Sequence, residues 1–190
     1  MYEVRFHGRG GQGSVMAGGL LAAALVEEGK YAVSIPSFGF ERRGAPVVSF
    51  LRSSDREIRQ FTNIYQPDCI ICVDPSLVRT VNIFDGLKPG GTLVQATHQP
   101  LEALAIPDFV ATVGLCDAVP IALEIFKRPI TNTLMLGAFA RTTGVVSLDS
   151  LRTVLEESDF RDAGLKQNLL ALERGYNETV VHQINRRAAA

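Results

Sequence analysis

Hydrophobic and polar positions along the chain change between the two-residue period of strands and the three-to-four-residue period of helices. This pattern predicts strands over residues 2–7, 31–35, 45–52, 69–73, 92–95 and 108–113. Helical patterns cover residues 14–28, 75–84, 116–126, 132–143, 148–157 and 165–187. Strands that alternate with helices are typical of an α/β domain with a single doubly wound, mostly parallel sheet that is flanked by helices.

Two further patterns modify this α/β prediction. The turn Ser53-Ser54-Asp55 precedes a short β pattern at 57–60, which would form a hairpin insertion with the third strand. Near the C-terminal end, apolar residues recur every three or four positions and predict amphipathic C-terminal helices; these are Leu169, Leu172, Tyr176, Val180 and Ile184. We therefore expect one domain over residues 1–187 and a frayed tail over 188–190.

Composition and charge limit the classes of function that the chain could have. The chain has 190 residues, of which 46% are hydrophobic and 21% charged, so one domain can bury a sizeable core. The formal net charge is -1 and the basic residues are scattered, which argues against a nucleic-acid partner. No run approaches the roughly 18 apolar residues of a membrane span, and a secretory signal pattern is missing. We therefore expect a cytoplasmic protein without a membrane partner.

Cys69 and Cys72 form a C-x-x-C pattern, which in other proteins holds metals or redox disulfides. Here the pattern lies on a predicted buried strand, where residues three apart face opposite sides of the sheet. The two thiols would therefore diverge, and we expect buried structural cysteines. Metal-ligand spacing and the four-cysteine run of bacterial iron–sulfur sites are also missing, so we expect no metal in this chain.

The most informative segment joins the first predicted strand to the first predicted helix. It reads Gly8-Arg9-Gly10-Gly11-Gln12-Gly13 and is called the glycine loop below. Its glycines allow positive φ and let backbone N–H groups point outward, at a helix N-terminus whose partial positive charge favours anions. The backbone is therefore suited to close approach by a ligand or a neighbouring chain.

Three interpretations of the glycine loop remain open. The loop matches the G-x-G-x-x-G fingerprint of dinucleotide sites, but Pro36 and Ser37 stand where the acidic ribose ligand is expected. The glycines could instead serve only the tight packing of a strand on a helix. We favour a third interpretation, in which the loop presents its backbone to a cofactor or chain held by another subunit.

A second loop follows the second predicted strand. Its residues are Ser37, Phe38, Gly39, Phe40, Glu41, Arg42, Arg43 and Gly44. Aromatic side chains rimmed by guanidinium groups are typical of interface anchors, and arginine also suits phosphates such as those of coenzyme A; a solvated charge run is the alternative. Because the carboxyl ends of parallel strands share one edge of a sheet, we expect both loops to be neighbours of Asp74-Pro75-Ser76.

The sequence contains no recognisable motif of catalytic residues. His7, His98 and His182 fall in no recognisable nucleophile or acid–base motif. His7 ends the first strand beside the glycine loop, where it would either contact a ligand or form a structural hydrogen bond. We therefore expect this chain to carry out no reaction alone.

Two further motifs follow these loops, namely Asp74-Pro75-Ser76 and a helical segment that reads Asn132-Thr133-Leu134-Met135-Leu136-Gly137-Ala138. In this order, the four motifs resemble the gamma subunit of the 2-oxoacid:acceptor oxidoreductase family, such as pyruvate:ferredoxin oxidoreductase. The resemblance covers nearly the whole chain. The form Arg-Arg-Gly-Ala-Pro at residues 42–46 favours the pyruvate-like branch, although aryl-glyoxylate enzymes have similar subunits, and Phe40 stands where the family more often has proline.

This resemblance implies a multi-subunit, thiamine diphosphate-dependent enzyme. Such a complex oxidatively decarboxylates a pyruvate-like or aryl-glyoxylate 2-oxoacid to acyl-coenzyme A and CO₂, and passes electrons to ferredoxin or another acceptor. The resemblance implies that alpha, beta and ferredoxin-like delta subunits hold the thiamine diphosphate, Mg and iron–sulfur clusters of the 4Fe-4S type. Coenzyme A is then a co-substrate, and this chain alone binds no cofactor. A stand-alone dinucleotide- or nucleotide-binding regulatory domain is the alternative.

The resemblance also implies which residues lie at a subunit interface or along the coenzyme A path. They are Gly8, Arg9, Gly10, Gly11, Gln12 and Gly13 in the glycine loop, Ser37, Phe38, Glu41, Arg42, Arg43 and Gly44 in the second loop, and Asn132.

Overall fold

A computed structural model describes residues 1–36, 44–158 and 164–184. The strands in these ranges are β1 (Tyr2–Arg9), β2 (Tyr31–Pro36), β3 (Pro46–Ser54), β4 (Cys69–Cys72), β5 (Thr92–Ala96), β6 (Thr112–Cys116) and β7 (Val180–Gln183). The α-helices are α1 (Ser14–Glu27), α2 (Ala118–Phe126), α3 (Asn132–Thr143), α4 (Leu148–Glu157) and α5 (Leu165–Glu178). Two short 3₁₀ helices span Leu77–Arg79 and Leu101–Ala103.

The strands join one 7-stranded sheet in the order β2-β3-β1-β4-β5-β6-β7. β1, β4, β5 and β6 are parallel neighbours, whereas β3 is antiparallel to β1 and β2, and β7 is antiparallel to β6. The predicted α/β fold with a mostly parallel sheet is therefore confirmed. From β1 the chain passes through α1 to β2 and β3 on one side, while β4 lies on the other side. The carboxyl ends of β1 and β4 thus border a crevice of the kind in which open α/β sheets bind ligands.

The two faces of the sheet are covered differently. All five α-helices of the described ranges contribute to one core, which includes Phe6, Leu21 and Phe139. Irregular segments and the 3₁₀ helices cover the opposite face around Ile83 and Leu93. None of the helices in the described ranges has the length and apolar character needed to cross a membrane. The α-helices of the described ranges therefore lie on one side of the sheet.

The two cysteines of the C-x-x-C pattern lie in different cores. Cys69 belongs to the core on the helical face, and Cys72 to the core on the opposite face. Both are buried free thiols. The prediction of diverging structural cysteines is confirmed.

The predicted strand at 57–60 is absent, and β3 pairs with β1 and β2 instead. Arg52 on β3 lies buried beneath this segment and donates hydrogen bonds to the carbonyls of Gln60 and Thr62, at 3.0 and 2.6 Å. The guanidinium also pairs with Glu3 at 2.9 Å. Carbonyls that accept from a buried guanidinium are unavailable to a strand ladder, so this segment remains a loop.

The predicted helix over 75–84 is wrong apart from the 3₁₀ helix Leu77–Arg79. The cause lies in β1, where Arg5 is buried against this segment. Its guanidinium donates hydrogen bonds to the carbonyl oxygens of Ile83, at 3.0 Å, and Asp85. These carbonyls are directed at a cation rather than along a helix axis, so the segment passes over Arg5 as irregular chain.

The predicted C-terminal helix over 165–187 divides into two elements. α5 ends at Glu178, and β7 then pairs with the edge of β6. Thr179, Val180 and Val181 are β-branched and favour a strand, whereas the spacing of Val180 from Tyr176 only imitates a helical period. Residues 185–187 of the predicted helix and the predicted tail over 188–190 lie outside the described ranges.

The predicted strand over 108–113 is displaced. β6 begins at Thr112, because the preceding residues form a turn in which the N–H of Val110 donates to the carbonyl of Pro107 at 3.1 Å. The helix predicted from 116 begins at Ala118, because β6 continues through Cys116. The helices predicted over 132–143 and 148–157 have the bounds of α3 and α4.

α3 and α5 cross at two glycines. A Cβ atom on Gly137 would lie 2.1 Å from the carbonyl oxygen of Leu172, and one on Gly175 would lie 2.0 Å from that of Leu134. Any side chain at either position would force the backbones apart. The two helices are therefore in direct backbone contact, and this contact positions the N-terminal end of α3 near the carboxyl edge of the sheet.

Candidate functional site

The glycine loop leaves β1 as a hydrogen-bonded turn. The N–H of Arg9 donates to Oε1 of Gln12 at 2.7 Å, and the N–H of Gln12 donates to the carbonyl of Arg9 at 3.0 Å. Gly10 and Gly44 extend the pairing of β1 with β3, because Gly10 donates to Ala45 at 2.9 Å and Gly44 donates to Gly10 at 3.1 Å. The base of the second loop is thereby joined to the glycine loop.

Three of the loop glycines have identifiable structural reasons. Gly11 and Gly13 have φ values of 91° and 78°, which L side chains rarely adopt. A Cβ on Gly8 would lie 2.0 Å from Oγ of Ser14, and one on Gly13 would lie 2.5 Å from Nδ2 of Asn132. Tight packing of β1 on α1 and α3 therefore explains part of the pattern.

A polar cluster ties the glycine loop to the end of β4. Arg9 donates to Oγ of Ser76 at 2.8 Å and to the carbonyl of Gly44 at 3.0 Å, and its Nε lies 3.4 Å from Oδ2 of Asp74. Nε2 of Gln12 also donates to Asp74 at 2.5 Å, and Ser76 donates its N–H at 2.8 Å. The predicted proximity of the glycine loop, Gly44 and Asp74-Pro75-Ser76 is therefore confirmed.

Asp74 is held as a carboxylate in this cluster. Burial of the carboxyl opposes ionisation, but hydrogen bonds from Ser76 and Gln12 and the charge of Arg9 outweigh it and lower its pKa below the ordinary value. The negative charge organises three donors from two different strand ends. Asp74 thus fixes the conformation of the loop, and Arg9 is engaged in holding the loop rather than free in solvent.

The N-terminus of α1 faces a cavity beside the glycine loop. The first N–H groups of any α-helix lack intrahelical acceptors, and α1 begins after Gly13 without a side-chain cap and with no acidic residue in its first turn. The cavity has a volume of about 310 Å³ and is lined by Arg9, Gly10, Gly11, Gly13, Ser14, Val15 and Val47. Backbone N–H groups and the helix dipole favour an anion here, while the charge of Arg9 is balanced by Asp74.

Two buried polar atoms near this helix end have no hydrogen-bond partner among the described residues: Oγ of Ser14 and Oδ1 of Asn132. Buried polar atoms are paired in the great majority of cases. Thr131, which precedes Asn132, is satisfied, because its hydroxyl donates to the carbonyl of Val73 at 2.8 Å. The unpaired atoms therefore distinguish the junction of α1 and α3 from its surroundings.

The structure places some of the predicted site residues and not others. It brings together the glycine loop, Gly44 and Asn132. Ser37, Phe38, Glu41, Arg42 and Arg43 lie outside the described ranges. The predicted helix start at Ser14 is confirmed, whereas no sequence pattern indicated that its hydroxyl is buried without a partner among the described residues.

His7 does not have the environment of a catalytic base. Nε of Arg5 donates to its Nε2 at 3.0 Å, and the ring is buried. Burial, followed by the charge of Arg5, lowers the pKa of His7 to about 3. The imidazole is therefore neutral and acts as a structural acceptor. Across the described ranges, no group of three His, Cys, Asp or Glu side chains could hold a metal ion.

The fold and the site define an α/β domain that presents a glycine loop and a helix N-terminus at the carboxyl edge of its sheet. Residues 3–178 match the family model described as pyruvate ferredoxin/flavodoxin oxidoreductase. The chain belongs to this family.

Relatives of known name match over almost their whole length. The chain is 80% identical to the NADH-dependent phenylglyoxylate dehydrogenase subunit gamma of Aromatoleum evansii, over 100% of both chains. It is 46% identical to the pyruvate/ketoisovalerate oxidoreductases common subunit gamma of Thermococcus kodakarensis, over 97% of this chain and 100% of that one. The crystal structure of the pyruvate oxidoreductase subunit PORC of Thermotoga maritima superposes with a TM-score of 0.84 at 36% identity, covering 96% of this chain and 98% of that one. The resemblance to gamma subunits of oxidoreductase complexes is therefore confirmed.

Proposed function

We propose that this chain is the gamma subunit of a thiamine diphosphate-dependent complex that oxidises an aromatic 2-oxoacid of the phenylglyoxylate type. The complex would convert the 2-oxoacid and coenzyme A to an aroyl-coenzyme A and CO₂ and pass two electrons to an acceptor. The observation that carries this choice is the 80% identity to the phenylglyoxylate dehydrogenase gamma subunit over the full length of both chains. Identity to the pyruvate/ketoisovalerate subunit is 46%, which supports the family more than that substrate.

The chain itself has a binding and structural role in this proposal. Thiamine diphosphate, Mg and the iron–sulfur clusters belong to the alpha, beta and delta partner subunits, and thiamine diphosphate supplies the carbanion chemistry of decarboxylation when bound there. The gamma chain contributes the edge formed by the glycine loop, Gly44 and Asp74. Its buried neutral His7 and its paired Asp74 are consistent with positioning rather than proton transfer.

We also propose that the cavity at the N-terminus of α1 contacts an anionic part of coenzyme A. Uncapped N–H groups and a cavity of about 310 Å³ support this assignment. The unpaired hydroxyl of Ser14 lies at the same helix end and would gain a partner if a ligand or an ordered water enters. The glycine loop then serves two purposes, because it packs on Asn132 and approaches the ligand closely.

The experiment is anaerobic purification of the native complex through a tag on this chain, followed by mass spectrometry and cofactor analysis. The expected result is copurification of partner subunits, thiamine diphosphate and iron–sulfur protein, with acceptor reduction that requires both phenylglyoxylate and coenzyme A. A preference for pyruvate over phenylglyoxylate would overturn the substrate. A lone protein that carries a dinucleotide would overturn the subunit role in favour of the regulatory-domain alternative.

The coenzyme A contact is tested with two glycine variants that share a positive φ. Gly11→Ala places a methyl group in the loop at φ 91°, whereas Gly29→Ala places one at φ 79° with nothing within 4 Å. We expect Gly11→Ala to raise the KM for coenzyme A in the assembled complex without changing the KM for the 2-oxoacid. Gly29→Ala is expected to leave both constants unchanged. Equal effects of the two variants would count against a ligand role of the loop.

A further inference from the structure

A second cavity lies beyond the carboxyl end of β5, on the sheet face opposite the α-helices. Its volume is about 380 Å³, within the range of small-molecule sites. It opens between the 3₁₀ helix Leu77–Arg79 and the segment 103–106, and Pro75 belongs to its lining. Asp74, which contacts the glycine loop, directly precedes Pro75 in the sequence but does not line this cavity.

Gln95 is the unusual residue of this cavity. It lies in the register row Cys72, Gln95 and Leu115 across β4, β5 and β6, among apolar neighbours that belong to the core of this face. The residue is 2% exposed and lines the cavity, and its side-chain amide forms no hydrogen bond with any described residue. The amide atoms are not among the fully buried unpaired polar atoms of the described ranges, so they open onto the cavity, whereas leucine would pack in the same row. Its presence in the cavity lining therefore points to a ligand that supplies the missing hydrogen bonds.

A second buried polar group lines the cavity next to Gln95. Thr97 is 7% exposed, and its Oγ1 accepts a hydrogen bond from the N–H of Gln99 at 3.0 Å. A hydroxyl that accepts one hydrogen bond retains its own proton as a donor. Gln95 and Thr97 together therefore offer donors and an acceptor at the carboxyl end of β5.

The mouth of the cavity carries positive charge. Arg79 lines it, and within the described ranges its guanidinium has neither an ion pair nor a hydrogen bond. The described lining residues include no aspartate or glutamate, while Val78, Phe84 and Ile106 contribute apolar surface. A single unpaired guanidinium balances one negative charge and binds a planar carboxylate in a bidentate manner.

We propose that this cavity binds a small organic monocarboxylate with an apolar or aromatic body. The carboxylate pairs with Arg79, the body packs against Phe84 and Ile106, and a carbonyl or hydroxyl substituent hydrogen-bonds to Gln95. Arg79, Gln95 and Phe84 belong to a different cavity from the glycine loop, so this site does not depend on the function proposed above. Nucleotides fit less well, because their additional phosphate charges would face one guanidinium.

The test is a titration of the full-length ¹⁵N-labelled chain with mandelate, observed through the side-chain amide resonances. Mandelate has one carboxylate, a hydroxyl and a phenyl ring. The resonance pair of Gln95 is assigned by its absence in Gln95→Leu. We expect a saturable shift of this pair, with affinity reduced about tenfold or more in Arg79→Gln and in Gln95→Leu. Arg59→Gln is the control, because Arg59 is exposed and paired with Glu57 away from the cavity.

The unfolding temperatures of the variants separate ligand binding from folding. Gln95→Leu is expected to unfold at the temperature of the wild type or above it, since leucine packs beside Cys72 and Leu115. Arg79→Gln is expected to leave this temperature unchanged, because Arg79 is exposed. Absence of a saturable Gln95 shift would overturn the proposal, as would unchanged affinity in both variants. A shift produced by adenosine monophosphate but not by mandelate would also overturn it and would assign the cavity to nucleotides.

Discussion

Nε of Arg9 lies 3.4 Å from Oδ2 of Asp74, and this ion pair joins the carboxyl ends of β1 and β4. Both strands are central in the sheet, so the ion pair spans the crevice where the topology reverses direction. Arg9 belongs to the glycine loop, and Asp74 also accepts hydrogen bonds from Gln12 and Ser76. The shape of the loop therefore depends on a carboxylate that lies 65 positions further along the chain than Arg9. The pairing of β1 with β4 in the sheet brings the two residues together.

Replacing this carboxylate should loosen the loop without unfolding the protein. Asp74→Asn keeps the shape of the side chain but removes the negative charge that pairs with Arg9 and accepts hydrogen bonds from Gln12 and Ser76. We expect a loss of about 1 kcal/mol in the free energy of unfolding, because the ion pair is partly exposed. Hydrogen exchange at the amides of residues 10–12 should accelerate more than exchange in the core strands.

Asp149→Asn is the matched control, because Asp149 is an exposed acid paired with Arg152 on α4. Its free energy of unfolding should change by less than about 0.5 kcal/mol, and exchange in the glycine loop should stay unchanged. Equal exchange rates at residues 10–12 in both variants would contradict the role of Asp74.

The same carboxylate should produce a pH dependence of stability. The folded-state pKa of Asp74 lies below its ordinary value, so the unfolded chain binds the proton more tightly. The stabilisation from its charge is therefore complete above about pH 4 and is lost as the pH falls through the lower, folded-state pKa. The difference in unfolding free energy between wild type and Asp74→Asn should shrink on acidification below that pH. Urea titrations at several pH values measure it, and a constant or growing difference would disagree.

Gly13 should tolerate alanine less well than Gly29 does. Both glycines have nearly the same positive φ, 78° and 79°, so alanine incurs similar backbone strain at each. Only at Gly13 would the added Cβ meet a neighbour, Nδ2 of Asn132 at 2.5 Å. We expect Gly13→Ala to be less stable than Gly29→Ala by about 1–3 kcal/mol, measured by chemical denaturation. Equal stability would mean that Asn132 can move away without cost.

The three cysteines should be inert in the folded chain. All are buried and free, and burial raises the pKa of Cys72 to about 12 and that of Cys116 to about 11. Burial also raises the pKa of the Cys69 thiol. Because the thiolate is the reactive form, a thiol-specific reagent at pH 8 should label the protein only after unfolding. Rapid labelling of Cys69 or Cys72 in the native protein would reopen the redox interpretation of this pair.

Much of the fold was predictable because its signals are local. Glycine after β1, the apolar run of β4 and the apolar periodicity of α3 and α4 each depend on neighbours in sequence. The proximity of the glycine loop and Asp74 was also predictable, since parallel strands place their carboxyl ends at one edge.

The missed elements depend on distant partners. Arg5 and Arg52 lie on β1 and β3, and their guanidinium groups hold the irregular segments that cover the face opposite the helices. The local sequence at 57–60 and 75–84 gives no indication that a guanidinium group from another strand binds the carbonyls of these segments. β7 was missed for a related reason. Its residues have a spacing that also allows a helix, and pairing with the edge of β6 stabilises the strand instead.

The contact of α3 with α5 links the C-terminal part of the chain to the glycine loop. Backbone touches backbone at Gly137 and Gly175, so no layer of side chains is present to absorb a relative shift of the helices. α3 begins at Asn132, whose amide group lies against Gly13. α5 is therefore connected to the base of the loop through α3 and Asn132. We therefore expect a change on the outer surface of α5 to affect the base of the glycine loop as well as the C-terminal part of the chain.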